Sequence, residues 1–147
     1  MPCVSKAASF ASQGEKIPRN NSANHFVPEY NSEETLRNIS PDFSVLRQIK
    51  TETELDNDSF GIIVTAKGND CDFVSRFFAP NAGIDEDPVT GRAHCSLIPF
   101  WNEKLQKKVM TAKQLSKRGG VLHCEDCGER VKIGGKAVRY LRGEIEI

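Results

Sequence analysis

Two apolar runs set four residues apart limit the fold of this chain more than any other feature. FGIIVTA (residues 60–66) is rich in β-branched residues, and CDFVSRFFA (71–79) carries aromatics on both parities. Lys67-Gly68-Asn69-Asp70 between them is turn chemistry, so the pair reads as a β-hairpin with a short loop. A strand that is apolar on both parities needs cover on both faces, which excludes a simple one-sided sheet. Downstream, Ala93, Leu97, Ile98, Trp101 and Leu105 form a buried stripe on a helix over residues 91–105. Pro99 inside it removes a backbone donor and predicts a kink near Cys95. MTAKQ, GGVLHCE, RVKIG and AVRYLRGEIEI then read as four strands, separated by turns around Asp126-Cys127-Gly128 and Gly134-Gly135. In the last of them Leu141, Ile145 and Ile147 share one face, and Arg142, Glu144 and Glu146 the other. The pattern is α+β: a mostly antiparallel sheet enclosing one long hydrophobic helix.

The amino-terminal part is organised differently. Residues 1–25 are polar and aperiodic and read as a disordered or unrelated leader, so the domain occupies residues 26–147. Pro28 confines a short strand over 26–30 to a sheet edge. Asn31 or Ser32 can cap a helix over 33–38. Ser40 followed by Pro41 then signals a second helix, along which Phe43, Leu46 and Ile49 recur at helical spacing.

Lys plus Arg and Asp plus Glu are both 20 in the 147 residues. That balance argues against nucleic acid or a membrane surface as partner, since either selects a basic excess. No run approaches the roughly 18 apolar residues of a membrane span. The start of the chain lacks a secretory core, and five irregularly spaced cysteines suit reduced thiols; both point to the cytoplasm. Cys124 and Cys127 form a Cys-x-x-Cys pair, but zinc needs four ligands and redox use needs the mouth of a helix. Placed in a hairpin turn, the pair reads as incidental, and no metal site is expected.

The chemistry concentrates in DEDPVTGRAHC, Asp85 to Cys95. Three readings compete. Asp87 before Pro88, or Thr90 before Gly91, could cap the helix. A calcium loop is a second reading, although the alternating ligands of an EF-hand are missing. In the third, the free N–H groups of Thr90, Gly91 and Arg92 hold a substrate carboxylate at the helix end. Asp87 or Glu86 beside such a site could then transfer a proton next to the bound group.

DFVSRFFAPNAGIDEDPVTGRAHCSLIPFW, with LSKRGGVL and GGKAVRYLRGEIEI after it, resembles the C-terminal half of the PhzF-like phenazine biosynthesis family. The resemblance covers about residues 34–147. It implies a diaminopimelate epimerase-like half-domain, in which an antiparallel sheet wraps a central helix and the active site lies in a cleft between two such domains. It further implies an isomerase that moves a proton on a small carboxylate without metal or organic cofactor. Asp87 matches the acidic residue facing the substrate, with Glu86 a second candidate, and Thr90 and Gly91 match the turn into the central helix. Arg92 stands where the family usually has a substrate-contacting serine, and pairing with Asp87 or Glu86 is expected of it. The family's proton-abstracting glutamate and G-H-A-T motif, carried by its first half, have no counterpart in this sequence. The chain is therefore expected to be weak or inactive alone and to work as a homo-oligomer or with a complementary N-terminal half. The alternatives are a non-catalytic interaction module or a truncated gene product.

Overall fold

The computed structural model describes residues 25–48 and 61–146. The leader proposed over residues 1–25 lies outside them except at its last residue, as does the Ile49 end of the second helix. Strands β1 (His25–Phe26) and β2 (Glu29–Tyr30) are followed by helices α1 (Glu33–Arg37) and α2 (Phe43–Leu46). After them come β3 (Gly61–Lys67), β4 (Phe73–Phe78), helix α3 (Gly91–Leu105), β5 (Val109–Gln114), β6 (Gly120–Asp126) and β7 (Val131–Gly134). Ser32 caps α1, its hydroxyl accepting from Thr35 N at 3.1 Å. At α2 the cap is Asp42 rather than Ser40: its carboxylate accepts from Ser44 N and Val45 N, so Pro41 stands outside the helix.

One sheet of seven strands runs β1-β3-β4-β5-β6-β7, with β2 also paired to β3. It is mixed: β3–β4, β5–β6 and β6–β7 are antiparallel, whereas β1 and β2 on β3 and β4 on β5 are parallel. The antiparallel ladders are the longer ones, with six, six and four paired residues. Pro28 splits the predicted first strand, and Pro28 O instead accepts from Thr65 N at 3.2 Å.

The two-sided apolar runs have the two covers they require. All six residues of β4 are buried. Ile63, Phe73 and Phe77 face α3, where they pack with Leu97, Ile98 and Trp101 and with Met110, Ala112 and Leu122 of the neighbouring strands. Ile62, Val64, Val74 and Phe78 face the other way, against Leu36 of α1 and Leu46 of α2. Val27 at one end of the sheet and Val131 at the other both join the α3 cluster, so the sheet curls around that helix. Trp101 stacks on Phe73 at 5.6 Å, and its indole N–H donates to Thr65 Oγ1 at 2.9 Å. That hydroxyl donates in turn to Val74 O at 2.7 Å, so the buried polar group is satisfied.

The terminal strand expected from AVRYLRGEIEI does not form. Residues 135–146 have no regular secondary structure, and Val138, Tyr140, Leu141 and Ile145 are 80–100% exposed. Alternation prepares a segment to pair but supplies no neighbour, and what stabilises a strand is the packing of its partner. The Cys-x-x-Cys pair is likewise divided between two settings. Cys124 is buried within β6, where burial pushes its thiol up to about 11, and Cys127 is exposed in the β6–β7 turn.

Candidate active site at the entry to helix α3

Residues 79–90 carry the chain from β4 into α3 and hold the three acids of the opening motif in three different ways. Asp85, at the surface, pairs with Arg47 of the α2 cap at 2.6 Å. Glu86 forms a fork with Arg76 of β4, at 2.7 Å from Nε and 3.1 Å from Nη2. Arg76 is the lone cation in an apolar strand, and it also donates to Leu36 O in the last turn of α1 and to Ile39 O just beyond it. A buried guanidinium needs such a complement, which makes Glu86 part of the packing between layers. Asp87 is different. Its backbone N–H donates to Phe77 O at 3.0 Å, and its carboxylate accepts the Thr90 hydroxyl.

That hydroxyl bond matters for the helix end. Thr90 occupies the N-cap position, yet its side chain makes no capping bond to the helix amides. Its Oγ1 turns to Asp87 instead and also accepts from Gln114 Nε2 at 3.1 Å. Gln114, at the end of β5, further donates to Asp87 O and accepts from Thr90 N at 2.8 Å. The Thr90 amide is therefore satisfied, whereas the N–H groups of Gly91 and Arg92 lie in the first turn, where no intrahelical acceptor exists. Gly91 is exposed, and a Cβ there would meet nothing within 4 Å. The open amides are two of the three expected.

Arg92 does not make the ion pair expected of it. It is exposed and has no carboxylate partner among the described residues, since Asp85 and Glu86 are engaged elsewhere and Asp87 is held by Thr90. One turn further, His94 is fully buried, its Nδ1 2.8 Å from Thr90 O and its ring 5.9 Å from Phe73. Burial pushes its pKa below the ordinary value near 6.5, so the ring is neutral, and an Nδ1–H donating to Thr90 O fits that state. The Nε2 atom has no partner.

Beside the helix end lies an open depression of about 620 Å³, lined by Val89, Gly91, Arg118, Gly120, His123 and Lys136 among others. Ser116 Oγ donates to Pro88 O at 2.7 Å and accepts from Gly119 N at 3.0 Å, tying the Ser-Lys-Arg-Gly-Gly loop to the acidic one. Gly120 packs so closely on Val89 that an added Cβ would lie 2.3 Å from Val89 Cγ2. No three His, Cys, Asp or Glu residues among those described gather as a metal-ligand set.

Gln114 and Arg76 are contributors that lie outside the motif, and His94 lies within it without a role having been expected of it. Arg76 carries a signal, since a charge inside an apolar strand demands a partner. Gln114 carries none, because it lies 24 residues from Thr90 and ends an ordinary strand.

Comparison with known proteins bears on the family and the fold. The family profile described as phenazine biosynthesis-like protein, PhzC-PhzF, matches residues 5–143. An uncharacterized isomerase of Pseudomonas aeruginosa is 52% identical over 116 residues, covering 79% of this chain and 41% of its own. A second, from Halalkalibacterium halodurans, is 46% identical over 122 residues, covering 82% and 43%. A PhzF-family crystal structure from Enterococcus faecalis superposes with a TM-score of 0.74 at 40% identity, over 95% of this chain and 51% of that one. A PhzC/PhzF protein from Clostridium difficile gives 0.70 at 43% identity, over 86% and 46%. The chain thus spans about half, or less, of the relatives it matches. With sequence and fold in agreement over most of its length, the chain belongs to the PhzC/PhzF phenazine biosynthesis-like family.

Proposed function

We propose that this chain supplies one wall of an isomerase site that moves a proton on a small carboxylate. One observation carries the reading: the Thr90 hydroxyl holds Asp87 at the helix entry instead of capping the helix. That arrangement sets an acid–base group beside two open amides. The Gly91 and Arg92 N–H groups, with the helix dipole behind them, hold the substrate carboxylate. Asp87 then orients the substrate or exchanges a proton at the adjacent carbon. Glu86, committed to Arg76, supports the loop rather than the reaction. The relatives named isomerases extend well beyond the matched stretch, so the opposite wall and its base come from a complementary half. No metal or organic cofactor takes part in this scheme.

Solvent deuterium exchange tests it. The chain mixed with the amino-terminal half of the Pseudomonas relative should label a member of a carboxylate panel at the carbon next to the carboxylate, and Asp87→Asn should abolish labelling. Exchange that survives Asp87→Asn would place the proton-transfer group elsewhere.

A second reading, assembly through the last segment, is favoured by the exposed Val138, Tyr140, Leu141 and Ile145. Apolar side chains clustered at this density mark an interface. In this view the segment pairs with a second copy or with the complementary half.

A further inference from the structure

Building on the assembly reading above, we infer that residues 143–146 of a second copy of this chain dock as a strand on the free edge of β6, in the depression beside helix α3. β6 pairs with β5 from Gly120 to Glu125, but its ladder with β7 runs only from His123 to Asp126. Gly120, Val121 and Leu122 therefore present one backbone edge that carries no strand among the described residues. Such an edge is a template for a strand from another chain. The depression lies along it, with Val89, Val121 and Ile133 in its lining. Arg118, His123 and Lys136 bring basic character to that lining, and no carboxylate does the opposite. Neither Arg118 nor Lys136 has an acidic partner among the described residues.

The acidic end of the described chain complements both features. Glu144, Ile145 and Glu146 are exposed, and on a strand Ile145 takes one face and the two glutamates the other. β6 alternates in the same way, with Leu122 and Cys124 buried and Val121 and His123 exposed. Ile133 stands opposite Cys124 and shares the buried face, where a Cβ on Gly120 would meet Val89. A docked strand with Ile145 on that face covers Val89 and Ile133, and its glutamates fall on the face of His123, near Lys136. The chain's own end is directed away from this place. Lys136 already lines the depression, and Ala137 to Arg142 contain neither glycine nor proline to turn the chain back. Extended, those residues carry the acidic end about 20 Å away, a span that suits a neighbour related by a twofold axis. Exchange is then reciprocal, and Tyr140 and Leu141 of the two copies meet near the axis.

Sedimentation and light scattering of the full chain at tens of micromolar test this. The parent should be a dimer, and hydrogen exchange across Gly120–Leu122 should slow as concentration rises through the dimerisation range. Glu144→Lys with Glu146→Lys sets like charges against the depression and should weaken the dimer at least about tenfold. Arg118→Glu with Lys136→Glu should do the same from the receiving side. Mixed in equal amounts, the two variant chains have complementary ends and edges in both directions, so the dimer should return. A generic apolar patch gives no such recovery, and its absence overturns the inference. Circular dichroism checks folding; if the Arg118 and Lys136 variant does not fold, the concentration-dependent protection of Gly120–Leu122 decides alone. A dimer broken by Tyr140→Asp with Leu141→Asp, but indifferent to charge reversal and without protection at Gly120–Leu122, keeps assembly and overturns the docking place. A parent that stays monomeric removes both. A monomeric parent that forms a one-to-one complex with the amino-terminal half of the Pseudomonas relative gives the segment to that half and overturns exchange between copies.

Discussion

A single buried imidazole ties the core of this protein to its candidate site. His94 packs on Phe73, bonds the Thr90 carbonyl, and has its second nitrogen unpartnered. Burial lowers its folded pKa below the unfolded value near 6.5, so between those two values the unfolded chain binds the extra proton. Stability from neutral His94 is thus fully present above about pH 6.5 and declines as pH falls toward the folded pKa. Urea unfolding from pH 7.5 to 5 should show this decline, and His94→Gln should flatten it. A slope unchanged in the variant would assign the effect to other groups. Glu33 contributes in a different window. The Asn69 N–H at 2.8 Å and Arg37 hold its carboxylate below the ordinary range, so its contribution is lost only at lower pH.

At the scale of elements, the decisive contact is between two loops, each unremarkable alone. The acidic loop before α3 and the Ser-Lys-Arg-Gly-Gly loop before β6 meet where Gly120 lies against Val89. Gly120→Ala drives a methyl group into Val89 Cγ2 and should cost about 1–3 kcal/mol, the usual range for overpacking. Since the clash is with one side chain, Val89→Ala in the same chain should recover part of the loss. Thermal or urea denaturation of the two single variants and the double variant measures the coupling. Additive losses would mean that the loops do not bear on each other. The same logic explains why α3 starts where it does. Thr90 is a good cap by composition, but Gln114 and Asp87 compete for its hydroxyl, and the helix amides are left open.

For the whole molecule, the unsettled surface is the segment after β7. Val138, Tyr140, Leu141 and Ile145 contribute almost nothing to the core, so replacing them should barely change Tm. They should nevertheless drive association. Light scattering at tens of micromolar should find a dimer or larger species, and Tyr140→Asp with Leu141→Asp should give a monomer of unchanged Tm. A strictly monomeric parent would sink assembly through this segment. Among the described residues no helix is long and apolar enough to cross a membrane.

What the sequence determined by itself follows from local periodicity. The two-parity apolar runs of β3 and β4 required layers on both sides, and α1, α2 and α3 supply them. The apolar spacing and the turn at Thr90-Gly91 set α3 at residues 91–105, because a 3.6-residue repeat and its end signals are properties of neighbouring residues. Tertiary structure decided the rest, because it depends on pairs distant in the chain. It divided the three acids, giving Asp85 to Arg47, Glu86 to Arg76 and Asp87 to Thr90. It brought Gln114 across 24 residues to the Thr90 amide and left Arg92 without the acid its neighbourhood promised. It also withheld a partner from residues 135–146, whose alternation is written in the sequence but whose ladder needs a strand supplied in space.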